Sequence, residues 1–188
     1  MRYSIQKYKN KLIETLNSNN LNREIQILFE NIFSAWKNKN QIFICGNGGS
    51  AGNAIHIAND YLYGAGISNN KGLRIEALSA NQAVLTCLAN DLGYEHIYSE
   101  QLKVKANKSD LLIVLSGSGN SKNVVNAIKI GNRLKMKTFA IVGFNGGKCK
   151  KLAKNNIHFN VNDMQVSEDL QLIVMHMIMQ ELSKTKLK

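Results

Sequence analysis

The chain has 188 residues, a length that allows one domain with a substantial core. Hydrophobic residues make up 44%, which excludes a disordered chain. The formal charge of +11 comes from lysines spread along the sequence, densest at Lys148 to Lys154 and Lys184 to Lys188. They are not interleaved with aromatics, so they read as a solvated basic surface and not as a nucleic-acid footprint. A positive field of this kind still favours a small anionic substrate. No apolar run approaches the ~18 residues of a membrane span, and the first twenty residues are too polar for a signal peptide. Cys45, Cys87 and Cys149 show no CxxC spacing, which argues against a disulfide framework or thiolate-bound metal. The expectation is a cytoplasmic protein that binds neither nucleic acid nor membrane.

The first forty residues carry two helical patterns. Ile5, Tyr8, Leu12 and Leu16 line one side of the first. In the second, Ile25, Leu28, Phe29, Ile32, Phe33 and Trp36 form an apolar stripe. Asn17 to Asn20 separates them. The period then changes to strands alternating with helices. Strands are expected at Gln41 to Cys45, Leu73 to Leu78, Leu111 to Leu115, Thr138 to Gly143 and Ile157 to Val161. Helices are expected at Ala51 to Tyr63, Asn81 to Ala89, Glu95 to Ala106, Lys122 to Leu134 and Ser167 to Leu182, with a short basic helix after Gly146-Gly147. Gly64 to Gly72 reads as a loop. This alternation predicts an α/β fold: a three-layer, doubly wound parallel sheet with an N-terminal helical pair. One domain over 1–188 is expected, with 1–40 as a helical extension.

Two strand ends carry the chemistry. Leu111 to Leu115 runs into Ser116-Gly117-Ser118-Gly119-Asn120-Ser121 just before a helix. Backbone N–H groups at a helix N-terminus, with three hydroxyls beside them, suit a phosphate. Gly46-Asn47-Gly48-Gly49-Ser50 ends the first strand. Its glycines fall at the wrong offsets for a dinucleotide fingerprint, and no Walker lysine follows. Alone it is no more than a tight turn. In a doubly wound sheet both turns lie at the carboxyl ends of strands, where ligands bind.

These motifs in this order resemble the sugar isomerase (SIS) domain family, and within it the isomerases of phosphorylated heptoses. The resemblance rests on Gly46 to Ser50, His56, Asn90-Asp91-Leu92-Gly93-Tyr94, Ser116 to Ser121, Gly146-Gly147-Lys148 and His176. It implies a flavodoxin-like SIS fold and a homotetramer. The implied reaction is the interconversion of sedoheptulose 7-phosphate and D-glycero-D-manno-heptose 7-phosphate. It implies that Asn47, Gly48, Gly49, Ser50, Asn90, Asp91, Ser116, Gly117, Ser118 and Ser121 hold a phosphorylated seven-carbon sugar. It also implies one Zn²⁺ per subunit on His56, Asp60, Glu168 and His176, with Asp60, Glu168 and His176 as catalytic groups.

The chain departs from the family pattern at three places. Asp60 stands where Glu is usual, and Glu168 where Gln is usual. Tyr63-Gly64 replaces Gly-Arg, so that a positive group near the substrate is either missing or supplied by Lys71 or Arg74. Glu168 and His176 are eight residues apart, ~12 Å along a helix axis. They meet at one ion only if their side chains lean together or different subunits contribute. Each residue also has a plainer role. His56 is a surface histidine without the family context. Asp60 follows Asn59 on a wet face, Glu168 favours a helix start, and His176 sits in a methionine-rich helix that reads as core or interface. Two other functional classes stay open. One is a non-catalytic SIS protein that binds a protein partner, of the replication-initiator-binding type. The other is an isomerase of a different phosphosugar. A sugar-sensing regulator fused to a DNA-binding domain is disfavoured, since too few residues precede the first strand.

Overall fold

Apolar runs that alternate with helical patterns become the strands of one sheet. The computed structural model describes residues 2–18, 20–69 and 71–187. Its strands are β1 (Ile42–Cys45), β2 (Ile75–Ala77), β3 (Leu111–Ser116), β4 (Lys137–Val142) and β5 (Asn155–His158). They pair in parallel in the order β2-β1-β3-β4-β5. The chain moves outward from β1 to β2 and then crosses back to β3. The crevice between the ends of β1 and β3 is therefore the switch point where ligands bind in such sheets.

Every residue of β1 and β3 is buried, because successive side chains of a central strand enter opposite layers. Ile42, Ile44, Leu111, Ile113 and Leu115 enter one core. That layer is built by α2 (Leu21–Lys37), α3 (Gly49–Leu62) and α8 (Met164–Lys184). Phe43, Cys45, Leu112 and Val114 enter the other core, with α5 (Ser99–Lys105), α6 (Lys122–Arg133) and α7 (Gly147–Leu152). In the expected stripe of α2, Leu28, Ile32 and Trp36 are fully buried, while Ile25, Phe29 and Phe33 pack at its margin. The Trp36 indole donates to the Lys71 carbonyl at 3.0 Å, tying α2 to the loop before β2. In α1 (Arg2–Leu16), Tyr8, Leu12 and Leu16 pack on the core, but Ile5 stays exposed.

Several boundaries differ from the sequence expectation. The segment Gly64–Asn69, expected as loop, forms a 3-10 turn. The helix expected over 95–106 divides into a 3-10 turn at Tyr94–His96 and the shorter α5. β5 ends at His158, not Val161: Phe159 and Val161 are buried beyond the paired segment. α8 starts three residues early, at Met164, because the Asp163 side chain accepts the Val166 N–H as an N-cap. The remaining helix, α4 (Gln82–Leu92), is N-capped in the same way by Asn81.

Candidate active site

The serine turn is braced from within and from the neighbouring loop. Ser116 Oγ accepts the Gly119 N–H at 3.1 Å, and Ser118 Oγ accepts that of Asn120 at 3.3 Å. Gly119 has φ +65°, and a Cβ there would lie 2.1 Å from the Gly146 carbonyl oxygen. Only glycine allows the two turns to interlock so closely. The Cys149 N–H donates to the Gly119 carbonyl, and the Lys148 N–H donates to Asn120 Oδ1. Ser121 is the N-cap of α6 but makes no side-chain cap bond, so its hydroxyl is available to an anion there. Ser116 is buried and serves the turn itself, leaving Ser118 and Ser121 as the outward hydroxyls. Ser118 and Asn120 open onto a cavity of about 510 Å³, also lined by Phe144, Asn145, Asn160 and Asn162. Its walls are neutral amides, a hydroxyl and one aromatic ring, surfaces suited to a polyhydroxylated molecule.

The glycine turn after β1 is locked to the same site. Asn47 Nδ2 donates to Asn123 Oδ1 at 2.8 Å, and Asn123 Nδ2 donates back to Asn47 Oδ1 at 2.7 Å. Tyr94 reaches Asn47 Oδ1 at 3.1 Å, and the Tyr98 hydroxyl donates to the Gly46 carbonyl. Burial pushes the Tyr98 hydroxyl well above its ordinary pKa, so it remains a protonated donor. Ser50 is buried inside the turn.

Helices α3 and α8 supply the third component. They run side by side in the same direction. Glu168 lies against Gly49 at one end, and His176 meets His56 and Asp60 further along. His56 Nε2 and His176 Nε2 are 3.0 Å apart; Asp60 Oδ2 lies 3.4 Å from the first and 3.3 Å from the second. Tetrahedral coordination with bonds of about 2.0–2.1 Å separates ligand atoms by about 3.3 Å. The three groups therefore fit a small divalent cation, with a coordination position left over. They are the one such cluster among the described residues. His56 and Asp60 converge because an i,i+4 pair shares one helix face. The histidine side chains are 50% and 42% exposed, so this part of the site is open in one chain. The Tyr61 hydroxyl, kept protonated by burial, donates to the Met175 carbonyl at 2.7 Å and anchors the pair beside the triad.

Glu168 is placed apart from the triad. A Cβ added at Gly49 would lie 2.3 Å from Glu168 Oε2, so the carboxylate rests directly on the first turn of α3. It makes no ion pair among the described residues. The eight-residue spacing explains this: two turns of helix are not spanned within one chain. Asn90 and Asp91 bond to one another, and Asp91 also takes the Cys87 thiol. Within this chain it is Tyr94, of the same segment, that reaches the glycine turn.

Arg74 does not supply a positive group to the site. It donates to the Lys39 carbonyl and lines a cavity with Lys39, Glu76 and Asp110, at the amino ends of the strands, away from the site. Lys71 lines a surface cavity with Leu62 and Tyr63. Asn123 and Asn53 are the contributors that sequence reasoning missed; an amide inside a helix carries no motif. Cys45 and Cys149 are buried thiols with pKa values raised by burial, so neither is a ready thiolate.

A family model described as SIS domain matches residues 6–143. The phosphoheptose isomerase of Aliarcobacter butzleri is 38% identical over 170 residues, covering 90% of this chain and 87% of that protein. The phosphoheptose isomerase of Helicobacter pylori strain P12 is 37% identical over 158 residues, covering 84% and 80%. The solved structure of phosphoheptose isomerase from Neisseria gonorrhoeae superposes with a TM-score of 0.89 at 24% identity, covering 98% of this chain and 97% of that one. That from Francisella tularensis gives 0.90 at 22%, covering 98% and 96%, and both likenesses establish the fold. With sequence relatives matched over most of their length, the chain belongs to the SIS domain family and, within it, to the phosphoheptose isomerases.

Proposed function

We propose that this chain interconverts sedoheptulose 7-phosphate and D-glycero-D-manno-heptose 7-phosphate, an aldose–ketose isomerisation. The observation that carries this reading is the 38% identity to a phosphoheptose isomerase over 90% of the chain. The product supplies heptose for bacterial surface glycans such as lipopolysaccharide or capsule.

The distal phosphate is held by Ser118, Ser121 and the first turn of α6. Binding energy from that remote group positions the reacting carbons. Ser116, Gly117, Asn47, Gly48 and Ser50 shape the turns around it. In the ketose-to-aldose direction, a base takes a proton from C1 while the C2 oxygen is protonated, giving an enediol. The O1 proton then leaves as C2 gains one, and the aldehyde forms at C1. Each proton moves between a carbon or oxygen of the sugar and a positioned side chain.

The separation of Glu168 from the triad supports a division of roles that compete within one carboxylate. Asp60 converges with His56 and His176, so these three would hold the metal. Glu168, away from the triad and against Gly49, is the base at carbon. Zn²⁺ fits the donor set of two imidazoles and a carboxylate, one ion per subunit. When bound, it polarises the sugar carbonyl and stabilises negative charge on oxygen. His176 thereby acts on turnover more than on substrate affinity.

The exposure of the triad supports completion by a second copy, in a homotetramer, with Asn90 and Asp91 serving a neighbouring site. The chain works as one SIS domain over 1–188, with 1–40 as its helical extension, in the cytoplasm. No described helix is long and apolar enough to cross a membrane.

Incubation with sedoheptulose 7-phosphate in D₂O, followed by ¹H NMR, tests the assignment. Appearance of the aldose anomeric signals with deuterium at C2 supports it. An unchanged ketose spectrum, with metal supplied, rules it out.

A further inference from the structure

Between the Glu168 end and the triad end of the α3–α8 pair lies one polar link that neither chemistry requires. Asn53 Nδ2 donates to the Glu168 carbonyl at 3.0 Å and to Gln171 Oε1 at 3.2 Å. Gln171 is fully buried, and its Nε2 has no hydrogen-bond partner. Buried amide donors are seldom left unpaired, so this one needs a cause. The cause is a chain of fixed roles. The Glu168 carbonyl can only accept, so Asn53 must present its NH₂ group toward α8. Gln171 must then present its oxygen toward Asn53, which turns its own NH₂ into the apolar layer. The fold tolerates a stranded donor in order to hold the first turn of α8 against α3.

We propose that Asn53, acting through Glu168 and Gln171, is a positioning residue that fixes the register of α8 on α3. Register is what this site depends on. Glu168 rests on Gly49 one turn before Asn53, and His176 meets His56 and Asp60 one to two turns after it. A slip of α8 by one residue would carry His176 about 1.5 Å along the axis and rotate it by about 100°. That would take it out of ligand reach and lift the Glu168 carboxylate from Gly49. The proposal rests on the isomerase reading for its kinetic consequence and not for its structural one.

The test compares Asn53→Leu with Asn53→Gln in the full chain. Leucine fills similar space and removes the donor. Glutamine keeps a side-chain NH₂ that can donate to the Glu168 carbonyl and to Gln171 Oε1. That retains the cross-helix bond with one added methylene. Two quantities are read: kcat and KM with sedoheptulose 7-phosphate, and Zn²⁺ affinity by competition with a chromophoric chelator in the absence of sugar. The expected result for Asn53→Leu is a loss of at least tenfold in kcat and in Zn²⁺ affinity, with KM within threefold. Asn53→Gln keeps both to within threefold of the parent.

The proposal is overturned if folded Asn53→Leu protein binds Zn²⁺ as the parent does, or if Asn53→Gln is as impaired as Asn53→Leu. Should the leucine variant not fold, Asn53→Ser takes its place, because its hydroxyl is too short to span the two helices. If the parent binds Zn²⁺ but does not isomerise the sugar, the reaction assignment fails. A loss of Zn²⁺ affinity in Asn53→Leu would then still uphold the positioning role.

Discussion

Asn47 and Asn123 exchange two amide hydrogen bonds, one in each direction, and so fasten the turn after β1 to the first turn of α6. The two motifs lie 76 residues apart in sequence, yet they hold a common spacing at the switch point of the sheet. Replacing either asparagine with alanine leaves the other amide half-paired, so the two losses should not add. A double-mutant cycle on substrate affinity, Asn47→Ala against Asn123→Ala, is expected to show coupling on the order of 0.5–3 kcal/mol. Additive effects would mean that the turns are held apart by other contacts.

Ser118 is an outward hydroxyl of the serine turn. Its loss removes a donor to a charged phosphate, a bond worth about 1.5–3 kcal/mol. Ser118→Ala should therefore raise KM by about 10- to 100-fold. The turnover number should change little, because the phosphate is remote from the reacting carbons. Steady-state kinetics across a wide sugar range separate the two parameters. A fall confined to kcat would place Ser118 at the chemistry instead.

Gly49 is where the backbone of α3 and the carboxylate of Glu168 come closest. A methyl group there would displace only the end of a flexible side chain, so Gly49→Ala should alter stability by less than about 1 kcal/mol. It should lower kcat by a factor on the order of 10², the scale of a misplaced general base. Thermal unfolding and kinetics on the same preparation test both halves. Retention of full turnover would exclude Glu168 as the base.

The triad makes a prediction about metal content. His56→Ala and His176→Gln should each reduce bound divalent metal well below one per chain and lower kcat, with KM little affected. Elemental analysis of the purified variants and chelator treatment of the parent provide the measurement. An active parent that contains no stoichiometric metal and is indifferent to chelators would remove the ion from the reaction.

Much of this was legible before any coordinates, and the reasons are local. β3 announces itself because a central parallel strand is apolar on both faces. His56 and Asp60 could be paired because i,i+4 spacing dictates a shared helix face. β5 was misplaced because Asn155 and Asn156 enter the ladder, whereas buried Phe159 and Val161 lie beyond it. Asn123, Asn53 and Gln171 were invisible for another reason. Their roles come from tertiary neighbours more than seventy residues away, and an amide looks the same whether it faces water or a partner. Whether Arg74 serves the site stays open in the sequence because residue type alone does not say which end of a strand a side chain occupies.

Helix α3 has a consequence of its own for how the protein can change. Its positive end lies beneath a carboxylate, and its later turns, toward the end where the backbone carbonyls gather negative charge, carry His56 and Asp60, the pair proposed to hold a cation. One helix of 14 residues thus sorts opposite charges to its two ends. The distance between the proposed base and the proposed ion site is set by the rise of the helix and is not adjustable by loop movement. Inserting or deleting a single residue between Asn53 and His56 would swing the two ends about 100° out of phase.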